Sequence, residues 1–170
     1  MFNALLKGIV MRSVVISLVV FSSAAFGATA EAKERCWPVN ARLQTTFGAC
    51  PADFSSPIGL CSSGTLKSWF ERATTRFRAT NAAYSAGLPD TEAATTLSYT
   101  GDLEISDRHG TILLADVGLS DMANGIFTEL SRVKSATGRY AGVTGKLFIT
   151  GYASADGSGF TGEVSGKICR

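Results

Sequence analysis

The stretch Thr137-Gly-Arg-Tyr-Ala-Gly-Val-Thr-Gly145, followed by Leu147-Phe-Ile149, decides the fold. Gly138, Gly142 and Gly145 lie in a short segment between two apolar runs that both read as strands. Glycine reaches φ > 0 without steric cost, so the segment predicts a tight, kinked strand-to-strand corner. A phosphate-binding reading fails on the residues. Counting back from Gly145-Lys146, Tyr140 stands where a P-loop needs its first glycine, and Leu147 replaces the hydroxyl residue. No helix is predicted to follow.

Outward from the corner, the pattern is that of strands. Leu97–Ser106 alternates, with Leu97, Tyr99, Leu103 and Ile105 on one face and Ser98, Thr100, Asp102 and Glu104 on the other. That is period two with a wet outer face. Asp107–Gly110 predicts a hairpin turn and Thr111–Val117 the return strand. Gly125–Val133 precedes the corner, Lys146–Tyr152 follows it, and Phe160–Ile168 is the last strand. Upstream, Gly64–Thr80 suits one long strand or two broken near Arg72–Thr74, and Asn81–Ala94 reads as a polar loop with a turn at Gly87–Asp90. Six to eight antiparallel strands in one small domain must close to remove their edges, and about 105 residues suit one barrel. The expected class is all-β, a single antiparallel barrel of about eight strands over residues 64–170. It is preceded by an irregular N-terminal arm, residues 31–63, interrupted by Pro38, Pro51 and Pro57.

Residues 1–30 read as a signal peptide. Lys7 and Arg12 precede the apolar run Val14-Val-Ile-Ser-Leu-Val-Val-Phe21, which leads to small residues ending in Ala28-Thr-Ala30. The run is too short to span a bilayer, and Met11 is an alternative start of more usual length. The expected location is secreted or periplasmic, with no membrane attachment after cleavage. Without Lys7 and Arg12 the 16 basic residues become 14, equal to the 14 acidic ones. No basic cluster remains, so capture of nucleic acid is not expected.

Cys36, Cys50, Cys61 and Cys169 all lie in the exported part, which predicts two disulfides. If the first and last strands pair antiparallel, Cys61 before one meets Cys169 at the end of the other, leaving Cys36 with Cys50. A metal site is not expected, because no C-x-x-C spacing occurs and His109 is the only histidine. His109 reads as a turn residue, and a Ser-His-Asp or Cys-His arrangement has nothing to build on. Nothing in the chain calls for a cofactor.

Glu129-Leu130 with Ala136-Thr-Gly-Arg-Tyr-Ala-Gly-Val-Thr-Gly145 resembles the Glu-Leu and glycine-rich stretch of dirigent proteins. It is similar also to the glycine corner of bacterial allene oxide cyclase-like barrels. The resemblance implies an eight-stranded antiparallel barrel, often trimeric, with an apolar cavity. Dirigent proteins carry an arginine before the last glycine of the corner, where this chain has Thr144. No catalytic residue of the plant cyclases transfers residue by residue.

The chain's own site candidates are few. Glu129 and Asp116 are acidic residues within apolar strands, and either could serve acid/base chemistry if buried. For Asp116 the hairpin register decides. A four-residue loop, Asp107–Gly110, pairs Ile105 with Ile112 and turns Asp116 inward opposite Gly101. A three-residue loop with a Gly110 bulge pairs Ile105 with Leu113 and turns it outward. The Asp-x-x-Gly spelling and the cost of a buried carboxylate favour the outward register. Glu129 shares a face with Phe127 and Val133, and Ile126, Thr128 and Leu130 form the other, so neither face is marked as outer. If Glu129 is buried, Tyr99 or Tyr140 could satisfy it, the alternative being a structural hydrogen bond to a backbone amide of the glycine corner. Tyr99, Phe127, Glu129 and Tyr140 are thus the candidate ligand-binding residues, with a small apolar molecule as the expected partner. Isomerase or cyclase action on a lipid- or terpenoid-like substrate is the alternative. A third reading is a structural module whose interior is filled by Trp69, Phe70, Tyr99 and Phe160. Ile112-Leu-Leu114 and Leu147-Phe-Ile149 are apolar on both faces, which predicts cover by the arm or by another subunit. The resemblance to trimeric barrels favours the subunit, with a trimer as the implied assembly.

Overall fold

The computed structural model describes residues 34–68, 72–84 and 95–170. The signal-peptide segment, the turn at Gly87–Asp90, and Trp69 and Phe70 lie outside the described residues. Eight strands follow in chain order: β1 (Cys36–Gly48), β2 (Cys61–Ser68), β3 (Arg72–Tyr84), β4 (Thr96–Asp107), β5 (Gly110–Asp121), β6 (Ile126–Ala136), β7 (Thr144–Ala153) and β8 (Gly159–Cys169). Each pairs antiparallel with its chain neighbour, and β1 pairs with β8, so the sheet closes into a barrel. Among the described residues, helix is confined to two single 3-10 turns, Ala52–Phe54 and Gly138–Tyr140.

The arm is less irregular than its prolines suggest. Its first half is β1, with Leu43 and Thr45 buried between exposed Arg42, Gln44 and Thr46. Small and polar inward residues weaken the period-two signal there. Pro38 lies near the start of the strand, where β1 has β8 beside it and pairing with β2 has not begun, a position that tolerates a missing N–H. The second half, between β1 and β2, is the irregular loop that the prolines predict. Downstream, Gly64–Thr80 divides between β2 and β3, and β3 continues to Tyr84 past a bulge at Ala79/Asn81.

The disulfides differ from the expected pairing: they are Cys36–Cys169 and Cys50–Cys61. The geometric rule holds, but its first strand is β1. Cys36 and Cys169 are Cα partners at the closing seam, and Cys50 is left to pin the β1–β2 loop to Cys61. Two disulfides suit an oxidising compartment. Among the described residues no helix is long and apolar enough to cross a membrane.

One end of the barrel gathers the starts of β1, β3, β5 and β7 and the ends of the other strands; the glycine corner closes over this end. Thr137 and Arg139 donate their backbone N–H groups to the carbonyls of Thr111 and His109 at 2.8 Å. Gly138 sits at φ +59°, and a Cβ there would stand 2.2 Å from the His109 carbonyl oxygen. Only glycine fits that contact. The core is the inward faces of all eight strands, with Leu114 and Ile149 fully enclosed and Leu103, Leu147 and Val164 close to it. The two-sided apolar strands resolve into Leu114, Leu147 and Ile149 inside and Phe148 outside, 53% exposed.

Loss of the seam disulfide removes a loop of sequence separation 133, against 11 for the other. Chain entropy alone makes these worth about 5 and about 3 kcal/mol. Urea titrations should therefore show the Cys36→Ala/Cys169→Ala protein less stable than the Cys50→Ala/Cys61→Ala protein. The reverse order would place the constraint in the loop.

Candidate functional site

The β4–β5 hairpin sets the interior chemistry. Asp107 pairs with Gly110, Ile105 with Ile112 and Gly101 with Asp116, so Asp116 points inward and the outward register is overturned. The cause lies in the turn. Asp107 Oδ1 accepts the N–H groups of His109 at 2.7 Å and Gly110 at 3.2 Å, and its Oδ2 accepts the Tyr140 hydroxyl. These bonds hold Arg108-His109 as the turn, and Gly110, at φ +151°, leads straight into β5.

Inside, Asp116 and Glu129 are each only 5% exposed. Tyr99, Gly118 and Glu129 form one row across β4, β5 and β6. A Cβ on Gly118 would stand 2.3 Å from Tyr99 Cζ, so its absence lets the ring cross the strand. The Tyr99 hydroxyl then donates to Glu129 Oε1 at 2.7 Å. The next row holds Gly101, Asp116 and Ser131. Neither carboxyl oxygen of Asp116 makes a hydrogen bond among the described residues.

These surroundings favour protons. Burial, then the nearby charge of Glu129, pushes Asp116 up to about 8. Burial also raises Glu129, opposed by the Tyr99 hydrogen bond. Tyr99 is raised by burial and then by the Glu129 charge. A carboxyl that holds its proton near neutrality is suited to general acid/base work. Among the described residues both acids lie in the core with Phe77, Leu103, Leu114 and Ile149, and neither lines the cavity at the corner end.

That cavity has a volume of about 660 Å³. Its wall is apolar, with Val39, Leu66, Ile105, Ile112, Leu147 and Ile168. Its rim carries Trp37, Asp107, Arg139, Tyr140 and Arg170. Arg170 Nη1 donates to the Arg139 carbonyl at 3.3 Å. The Arg139 guanidinium makes no hydrogen bond among the described residues, and Trp37 is half exposed. Such a site can bury an apolar body and meet a polar or anionic group at the mouth.

The four candidate ligand-binding residues therefore divide. Tyr140 reaches the cavity rim, Tyr99 and Glu129 bond to each other in the core, and Phe127 packs on Phe160 at 4.6 Å. Sequence reasoning missed Trp37, Arg139, Ile168 and Arg170. Arg139 lies inside the corner motif itself, and Ile168 continues the inward row of β8, so both had a signal; Trp37 depends on recognising β1. Among the described residues the three potential metal ligands that converge are Glu34, Cys36 and Cys169. Both sulfurs are joined in the disulfide, so this group offers one ligand at most.

Comparison with known proteins gives no match to a protein-family model, a curated protein or a solved structure.

The raised Asp116 pKa has a definite sign in stability. The folded state holds a proton that the unfolded chain releases near pH 4, so stability is greatest below pH 4 with respect to this group. It is lost as pH rises towards about 8, with a slope of about 1.4 kcal/mol per pH unit per proton. Urea titrations should show the wild type less stable at pH 8 than at pH 5, and Asp116→Asn should flatten that slope. An unchanged slope in Asp116→Asn would mean that Asp116 is ionised inside the barrel.

Proposed function

We propose that the chain is an exported barrel that binds a small apolar molecule in the cavity at the corner end. The observation that carries this reading is that cavity, about 660 Å³ with an apolar wall and a polar rim. Burial of ligand area there supplies roughly 25 cal/mol per Å², and the rim fixes orientation. Export is supported by the basic start, apolar run and Ala-Thr-Ala site, and by the two disulfides. The resemblance of the glycine corner to allene oxide cyclase-like and dirigent barrels, which hold apolar cavities, agrees with it.

A second reading is supported by the buried Asp116 and Glu129, whose raised pKa values suit an isomerase or cyclase. Both acids are buried in the layer that holds Leu103 and Leu114, away from the corner-end cavity. The same layer, with Phe127 and Phe160, is what a filled structural barrel would show in its other half.

A panel of fatty acids and terpenoids titrated calorimetrically separates these readings. Ala73 lines the cavity, so Ala73→Trp fills it and should abolish binding, whereas Glu129→Gln should leave affinity within about twofold. Loss on Glu129→Gln with Ala73→Trp unaffected would move the site to the buried acids. No binding by the wild type would favour the filled barrel.

Self-association belongs to the same proposal. Val117, Leu130 and Phe148 are mutual Cα partners across β5, β6 and β7, and their side chains are 51%, 37% and 53% exposed. A registered apolar row on an outer wall suits cover by a second copy, with a trimer preferred on the family resemblance. Sedimentation at micromolar concentration should show a species larger than the monomer, and Phe148→Lys should dissociate it. A monomeric wild type would remove the assembly.

A further inference from the structure

The outer wall carries a second concavity, of about 730 Å³, lined from five strands in the order β2, β1, β8, β7, β6. A pair of facing glycines accounts for it. Gly151 and Gly162 are Cα partners, and a Cβ on Gly151 would stand 2.8 Å from the Phe127 ring and 2.0 Å from the Thr161 carbonyl oxygen. With no side chain pointing inward, the two strands settle on Phe127, and the outer surface dips above them.

The chemistry of this groove differs from that of the end cavity. Two registered rows cross it, Lys67–Arg42–Glu163–Thr150 and Gln44–Thr161–Tyr152. Among the described residues, the side chains of Arg42, Gln44, Lys67, Thr150, Thr161 and Glu163 make no hydrogen bond or ion pair. Arg42 and Glu163 stand opposite each other and still do not join. On the opposite wall the same residue types are tied together: Arg76 to Glu104 at 2.8 Å and Arg78 to Asp102 at 2.7 Å. The groove thus keeps its donors and acceptors open beside the Tyr152 ring, which is 63% exposed.

An aromatic face flanked by unused donors and acceptors of both kinds matches a sugar. The ring packs its C–H face on the aromatic, and each hydroxyl both donates and accepts. Two cations, Arg42 and Lys67, against the single carboxylate of Glu163 add a preference for carboxylated sugars, because a guanidinium binds carboxylate in a fork. We propose that this groove binds an acidic oligosaccharide, a chain of uronic acid units, with one sugar ring on Tyr152 and a carboxylate on Arg42.

The test is calorimetric titration of the mature protein with tetragalacturonate, and with cellotetraose as the uncharged control. Tetragalacturonate should bind, more weakly as salt rises, and cellotetraose should bind at least roughly tenfold more weakly. Tyr152→Ala and Arg42→Gln, both at exposed positions, should each weaken tetragalacturonate roughly tenfold with an unchanged circular dichroism spectrum. Ala73→Trp, in the end cavity, should leave it unaltered. Absence of binding by folded wild type, equal affinity for cellotetraose, or indifference to both groove substitutions would overturn the proposal.

Discussion

The pairing of β1 with β8, from Cys36–Cys169 to Thr46–Gly159, is the constraint on which the rest depends. Without it the sheet would expose two edges, each a template for further pairing. With it, the inward row of every strand is removed from water together. The disulfide sits at one end of this seam, where it holds the first and last strands in register. Enclosure then dictates the chemistry of whatever polar groups the inward rows contain. Asp116 and Glu129 owe their raised pKa values first to burial; the charge of Glu129 adds to the rise at Asp116, and the Tyr99 hydrogen bond opposes it at Glu129. An open sheet would leave both as ordinary surface carboxylates.

Among the described residues the two ends of the closed barrel are filled differently. At the far end Phe47, Phe127 and Phe160 pack ring against ring, with centroids 4.6 and 5.8 Å apart. At the corner end the inward positions hold medium-sized residues, Val39, Ala73, Ile105 and Ile112, and two glycines. Gly145 and Gly166 have φ +150°, and a Cβ on either would fall within 2.3 Å of a carbonyl oxygen of the neighbouring strand. These positions contribute backbone and no side-chain volume, so the walls meet without filling the space between them. The corner itself lies across the mouth, anchored by the Tyr140 bond to Asp107 and by backbone bonds to the hairpin. One side chain, Asp107, thus fixes the turn that aims Asp116 inward and holds a residue of the cavity rim.

Period-two patterning was strong enough to read most strands, because Leu97–Ser106 and Phe160–Ile168 separate their faces cleanly. It was weakest in β1, where Ala41 and Thr45 face inward and the strand starts beside a proline. Missing that strand carried over into the disulfides, since the seam was assigned to β2 and Cys61. For Asp116 the local arguments, turn spelling and the penalty for a buried charge, both pointed outward. They failed because a carboxyl can enter the core as the neutral acid, and because Asp107 spends its own carboxylate on the turn amides.

The sequence by itself determined the all-β class, the antiparallel order of neighbouring strands and the corner at residues 137–145. These follow from chain-local physics: alternation of side chains along a strand, and the backbone freedom of glycine at positive φ. Only the tertiary structure decided which cysteines pair, which face carries Asp116, and that Glu129 meets Tyr99 rather than Tyr140. Those outcomes depend on register and closure, relations between strands distant in the chain, where a shift of one residue turns every side chain to the other face.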